Sequence, residues 1–120
     1  MLPWETLDRA PSPSGGEMSL CRRGPEFSIR VDGHGLMSSR THGSEEELAR
    51  LTCADLGQER PRVLVGGLGM GFTLRAALNV LSQRARVVVA ELVPAVVDWN
   101  RGPLSELCGR PLEDPRVEVV

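Results

Sequence analysis

A glycine-rich turn and a carboxylate are the groups of this chain best suited to hold a ligand. The turn, residues 66–71, follows an apolar run at 63–65, and Glu91 follows a second apolar run at 87–90. Glycines let the backbone approach a ligand, and an acid at the end of the second strand can accept hydrogen bonds from a ribose diol. The order strand, glycine turn, helix, strand, acid therefore predicts a nucleoside-binding βαβ unit.

Each glycine of this turn has an expected role. Gly67 allows a tight exit from the strand, Gly69 leaves room for the ligand, and Gly71 lets the following helix pack closely on the sheet. A purely structural turn without a ligand is the alternative. The predicted cofactor-binding residues are Gly67, Leu68, Gly69, Gly71 and Glu91.

The spacing of the glycines indicates which class of nucleotide the turn could bind. A dinucleotide site has a third glycine three positions after the second, where this chain has Phe72, which disfavours NAD. No GKS or GKT sequence is present, which excludes a P-loop. The observed G-x-G-x-G resembles instead the first motif of class I S-adenosylmethionine-dependent transferases. In that group the acid after the second strand binds the ribose hydroxyls, a role that falls to Glu91.

Three segments extend this resemblance to one family. Residues 63–71 resemble the "VLVIGGGDG" segment of polyamine aminopropyltransferases, the spermidine synthase family, residues 91–97 its "ELDPAVI", and residues 112–120 its "LDDPRVEVV". The match covers roughly residues 17–120. It implies a transferase of polyamine biosynthesis with a Rossmann-like, methyltransferase-type fold. It also implies S-adenosylmethionine or its decarboxylated form as the ligand.

The chain departs from the family in the glycine turn and on the substrate side. Met70 stands where the family has an aspartate, Gly66 where it has an isoleucine, and residues 37–45 lack its Gln and Tyr. The resemblance therefore assigns only the cofactor contacts to residues of this chain. The acceptor substrate stays unassigned. The family's catalytic aspartate follows a fourth strand, and this sequence ends at Val120. Histidine is a residue type that can act as a general base, but we interpret His42 as a solvent-exposed loop residue, so the catalytic residues are unknown.

The amino-acid composition limits which binding partners, chemistry and location we expect for this chain. The 120 residues suffice for one small domain, and the net charge of −2 gives no electrostatic case for nucleic acid or an anionic membrane. The chain has no lysine for Schiff-base chemistry. Its three cysteines form no C-x-x-C and have no histidine at ligand spacing, which predicts no metal site and a reducing, cytoplasmic location.

The pattern along the chain predicts a mixed α/β fold in three parts. Residues 1–16, rich in Pro, Ser and Gly, read as a flexible lead-in. Residues 17–43 read as a small β-hairpin region, in which Phe27, Ile29 and Val31 alternate with polar residues. Residues 44–120 read as the first half of a Rossmann-like parallel sheet with strand order 3-2-1. Its leading helix is expected to start with a Ser44–Glu47 capping box. That helix should bury the stripe Leu48, Leu51 and Leu56.

The sequence is compatible with two functions. One is the cofactor-binding part of a transferase, moving an aminopropyl group or, alternatively, a methyl group to a small molecule. The other is a non-catalytic remnant or assembly module that keeps the nucleoside cleft, with a homodimer left open. An apolar strand at 63–65 would lie unprotected at the edge of a three-stranded sheet. For this reason we interpret the sequence as a truncated piece or a degenerate remnant, inactive as a transferase by itself.

Overall fold

The computed structural model describes residues 2–120, and the chain divides after His42 into two units. The first unit is an antiparallel sheet with strand order β1-β2-β3-β4. Its strands are β1 Glu5–Pro11, β2 Glu17–Arg23, β3 Glu26–Val31 and β4 His34–Ser38. The second unit, Gly43–Val120, carries the glycine turn and Glu91.

The flexible lead-in predicted for residues 1–16 is wrong for residues 5–11, and residue 1 lies outside the described residues. Residues 5–11 form β1, which pairs along its length with β2, from Glu5 opposite Arg22 to Pro11 opposite Glu17. A short turn joins the strands, in which the Ser12 amide donates to the Gly16 carbonyl at 2.7 Å. Backbone pairing with a neighbouring strand outweighs a local composition that favours a loop.

The prediction that β3 has one buried apolar face and one solvent-exposed face is also wrong. Ile29 is buried opposite Leu20, as expected, but Ser28 on the other face is buried too. Trp4 covers that second face, because its ring stacks against the guanidinium groups of Arg23 and Arg30, 4.5 and 4.7 Å from the ring centroid.

The second unit is built around a parallel sheet of order β5-β6-β7. Its elements are α1 Gly43–Cys53, β5 Arg62–Gly66, α2 Phe72–Val80, β6 Arg86–Ala90, α3 Pro94–Arg101, a 3₁₀ helix Pro111–Glu113 and β7 Val117–Val119. α2 buries Leu74, Ala77 and Leu78, the face expected from its periodicity. Pro94 occupies the first turn of α3, where its missing N–H costs nothing.

The sheet is covered on one face only in the described residues. Val65, Val87 and Val89 are buried on one side, while Leu64 on the other is 68% exposed. The uninterrupted valines at 87–89 predict a strand buried on both faces, whereas Val88 is only half-buried. Right-handed crossovers place α2 and α3 on the same side of a parallel sheet, which accounts for the difference.

The α1 helix buries a different face from the one predicted. Leu48 and Leu51 are exposed, and the buried residues are Ala49 and Cys53, one turn apart. Small side chains let a helix approach its neighbour closely, which favours this face. The Glu47 carboxylate, expected to reach back to Ser44, instead accepts hydrogen bonds from the Arg50 guanidinium.

Candidate functional site

The glycine turn and Glu91 lie at the same edge of the parallel sheet. Residues 67–71, here called the glycine loop, follow β5, and Glu91 follows β6 directly. Since β5 and β6 are parallel neighbours, their carboxyl ends meet at one edge, which is where ligands bind in such sheets. The Gly67 amide donates to the Ala90 carbonyl at 2.8 Å and joins the two strand ends.

The Glu91 carboxylate is held by two backbone amides. Its Oε1 accepts from the Leu68 N–H at 2.7 Å, and its Oε2 accepts from the Val93 N–H at 3.0 Å. The first bond ties Glu91 to the glycine loop and the second to the start of α3. A carboxylate oxygen has a second lone pair, so both oxygens keep capacity for a further donor. The arrangement can therefore accept from two hydroxyl groups while it holds the loop.

Three loop glycines adopt backbone conformations that other residues avoid. The φ angles are 94° at Gly67, 55° at Gly69 and 90° at Gly71. A Cβ on Gly67 would meet no protein atom within 4 Å, so open space lies beside this residue. A Cβ on Gly71 would lie 3.2 Å from Asn100 Oδ1. Gly71 therefore makes room for α3 and for Pro111 of the 3₁₀ helix, rather than for packing of α2 on the sheet.

The two larger residues of the loop point into the protein. Leu68 and Met70 are each 3% exposed. The Leu68 amide donates to Glu91, and its carbonyl accepts from the Gly71 amide at 3.0 Å. Leu68 thus positions Glu91, and its contact with a cofactor stays a prediction. The Met70 side chain stands where the resembled "VLVIGGGDG" segment has an aspartate, and it packs inside the protein.

Two residues at this edge were missed by the sequence reasoning. Leu92, next to Glu91, is 79% exposed and offers apolar surface beside the carboxylate. Its position directly after the acid was a usable signal. Asn100 donates to the Gly69 carbonyl at 2.7 Å, and nothing local in the sequence indicates this contact over 31 positions.

The remaining predictions concern His42, metal binding and membrane-spanning helices. His42 ends the first unit and is half-buried, not the solvent-exposed residue expected from its Gly-flanked position. Within residues 2–120 no three His, Cys, Asp or Glu side chains come together as a group able to hold a metal ion. The described helices include none with the length and apolar character needed to span a membrane.

Comparison of the sequence with protein-family models and with curated proteins gives no match. Solved structures, in contrast, share the fold. A spermidine synthase in complex with the transition-state analogue AdoDATO superposes with a TM-score of 0.72 at 20% identity. The spermidine synthase from Thermotoga maritima gives 0.71 at 21%, and a probable spermidine synthase from Corynebacterium glutamicum ATCC 13032 gives 0.58 at 16%.

The alignments differ in how much of each protein they cover. They include 96%, 96% and 97% of this chain but only 40%, 39% and 43% of those proteins. The chain therefore has the fold of a part of spermidine synthases and spans about two-fifths of their length.

Proposed function

We propose that Gly43–Val120 is the cofactor-binding part of a spermidine synthase-like transferase, and that it binds the nucleoside of decarboxylated S-adenosylmethionine or S-adenosylmethionine. The observation that carries the proposal is the Glu91 carboxylate, fixed by two amides beside the glycine loop. The shared fold with a spermidine synthase bound to AdoDATO supports the ligand class.

Each group at the edge has a role in this proposal. Glu91 accepts from the two ribose hydroxyls, since a charged acceptor strengthens such bonds. Gly67 and Gly69 keep the space beside the loop free of side chains. Leu92 gives the base an apolar surface, which suits the flat face of a purine. The sulfonium of the ligand supplies its own leaving group, so the protein's part in transfer is mainly orientation.

A second candidate follows from the same two hydrogen bonds. A carboxylate that joins the loop to α3 stabilises the fold with or without a ligand, so Glu91 would also be needed in a non-catalytic module. A third, methyl transfer to a small molecule, uses the same site. It would be favoured if S-adenosylmethionine bound more tightly than its decarboxylated form.

Calorimetry with paired ligands separates a ribose contact from a structural one. Methylthioadenosine and its 2′,3′-dideoxy analogue are titrated into the wild-type chain and into Glu91→Ala. We expect the wild type to prefer the diol, and Glu91→Ala to lose about 1–3 kcal/mol of affinity for methylthioadenosine while losing that preference. The dideoxy analogue should bind both proteins about equally.

The control is Glu106→Ala, which removes one negative charge from the same unit at an exposed residue paired with Arg110. Its affinity for methylthioadenosine should match the wild type. An equal loss for both ligands in Glu91→Ala would assign Glu91 a structural role alone. No binding of any sulfur nucleoside to the wild type would refute the proposed function.

A further inference from the structure

We propose that Asn100 is a positioning residue that sets the conformation of the glycine loop from the side opposite the ligand. The proposal rests on the function proposed above, in which the loop binds a nucleoside. Asn100 lies near the end of α3 and is 5% exposed. Its Nδ2 donates to the Gly69 carbonyl at 2.7 Å and to the Val96 carbonyl at 2.8 Å.

The two hydrogen bonds of the Asn100 side-chain amide have different effects. The bond to Val96, one turn earlier in α3, fixes the side-chain rotamer against its own helix. The bond to Gly69 then fixes the position of the glycine loop relative to α3. Both N–H protons of the amide are used, and a buried amide without partners would be costly. This pattern fits a rigid connection between α3 and the loop.

The bond to Gly69 also orients the next amide. In a trans peptide the C=O and the following N–H point in opposite directions. The Gly69 carbonyl faces Asn100, so the Met70 N–H faces away from α3. Within residues 2–120 no backbone carbonyl accepts from this N–H, whereas the Gly67, Leu68 and Gly71 amides are all engaged. The loop therefore presents the Met70 donor on the side that Asn100 does not occupy.

Neighbouring contacts hold the same side of the loop. The Cys108 thiol donates to the Met70 carbonyl at 3.5 Å, and Arg75 Nε donates to the Cys108 carbonyl at 2.7 Å. Gly71 leaves the space that the Asn100 side chain fills, because a Cβ there would lie 3.2 Å from Asn100 Oδ1. Asn100 is thus the contact from α3 within a packed support behind the loop.

The test compares Asn100→Leu with Val96→Ala. Leucine keeps the volume but cannot donate to Gly69. Val96 is equally buried on α3, and its side chain contributes no hydrogen bond to the loop. We expect Asn100→Leu to bind methylthioadenosine at least tenfold more weakly at a temperature where both variants are folded, and Val96→Ala to bind like the wild type. Asn100→Ser serves in the same comparison if the leucine variant does not fold.

Amide NMR keeps this test separate from the proposed function. Without ligand, the Gly69 and Met70 amide resonances should shift and exchange faster in the Asn100 variants, but not in Val96→Ala. If the wild type binds no nucleoside, the proposed function fails, and these resonances still decide whether Asn100 sets the loop. Unchanged Gly69 and Met70 resonances, or wild-type affinity in the Asn100 variant, would overturn the positioning role.

Discussion

At the scale of single residues, adjacent glycines at the end of β5 have different requirements. Gly67 has a φ of 94°, which other residues adopt only with strain. Gly66 precedes it in β5, and a Cβ there would meet no atom within 4 Å. This open position is consistent with the isoleucine that the aminopropyltransferase motif carries before its first glycine.

The pair Gly67→Ala and Gly66→Ala tests this difference. Gly67→Ala should lower the free energy of unfolding by about 1–2 kcal/mol, because its methyl group forces a strained backbone. Gly66→Ala should leave it within about 0.5 kcal/mol or raise it slightly. Urea unfolding of both variants measures the effect. Equal losses in the two would contradict the assigned role of the backbone angle.

At the scale of elements, the buried Arg116 connects the start of β7 to the end of α2 and pairs with the half-buried Asp114. Arg116 is 7% exposed and bonds to Asp114 with Nη2–Oδ2 at 2.8 Å and Nε–Oδ1 at 3.0 Å. Its Nη1 also donates to the Leu81 and Ser82 carbonyls, at 3.1 and 3.3 Å. Hydrogen bonds from Arg116 lower the pKa of Asp114 from 3.8 to about 2.

This pKa shift predicts acid lability of the second unit. A carboxyl group with a lowered pKa stabilises the fold above its unfolded pKa, and that stability is lost as the pH falls from about 4 to about 2. Relative to Asp114→Asn, the wild type should lose up to about 2 kcal/mol over this window. The fluorescence of buried Trp99, in a Trp4→Phe background, measures unfolding. A pH-independent difference between the two proteins would disprove the linkage.

At the scale of the whole molecule, each of the two units has its own sheet, and the second has an apolar edge. β5 pairs only with β6 among the described strands. Leu64 of β5 and Leu48 of α1 line one groove and are 68% and 62% exposed, with Leu51 at 74% on the same helix. An apolar edge strand beside exposed leucines favours association.

We expect the 120-residue chain to self-associate in sedimentation velocity as its concentration rises. Leu64→Lys should shift the distribution toward monomer, because a charged side chain on an edge strand opposes pairing. Leu92→Lys is the matched control: Leu92 is 79% exposed but lies beyond β6, so this change should leave association unaltered. A discrete dimer would favour the homodimer left open by the sequence, and a monomer at all concentrations would contradict the expectation.

The βαβ layout could be predicted from the sequence because the features that indicate it are local. Apolar runs, a glycine turn and a proline in the first turn of α3 each act within a few residues. The side-by-side position of the loop and Glu91 then follows from parallel pairing. Their use as a nucleoside site stays a prediction.

What only the tertiary structure decided depends on contacts between distant segments. β1 forms because β2 supplies its hydrogen bonds, although its own composition favours a loop. The face of α1 is chosen by how closely Ala49 and Cys53 let it approach its neighbour, not by where its leucines lie. Asn100 reaches the loop across 31 positions of chain. Such contacts depend on the packed arrangement of whole elements, which a local pattern of residue types does not encode.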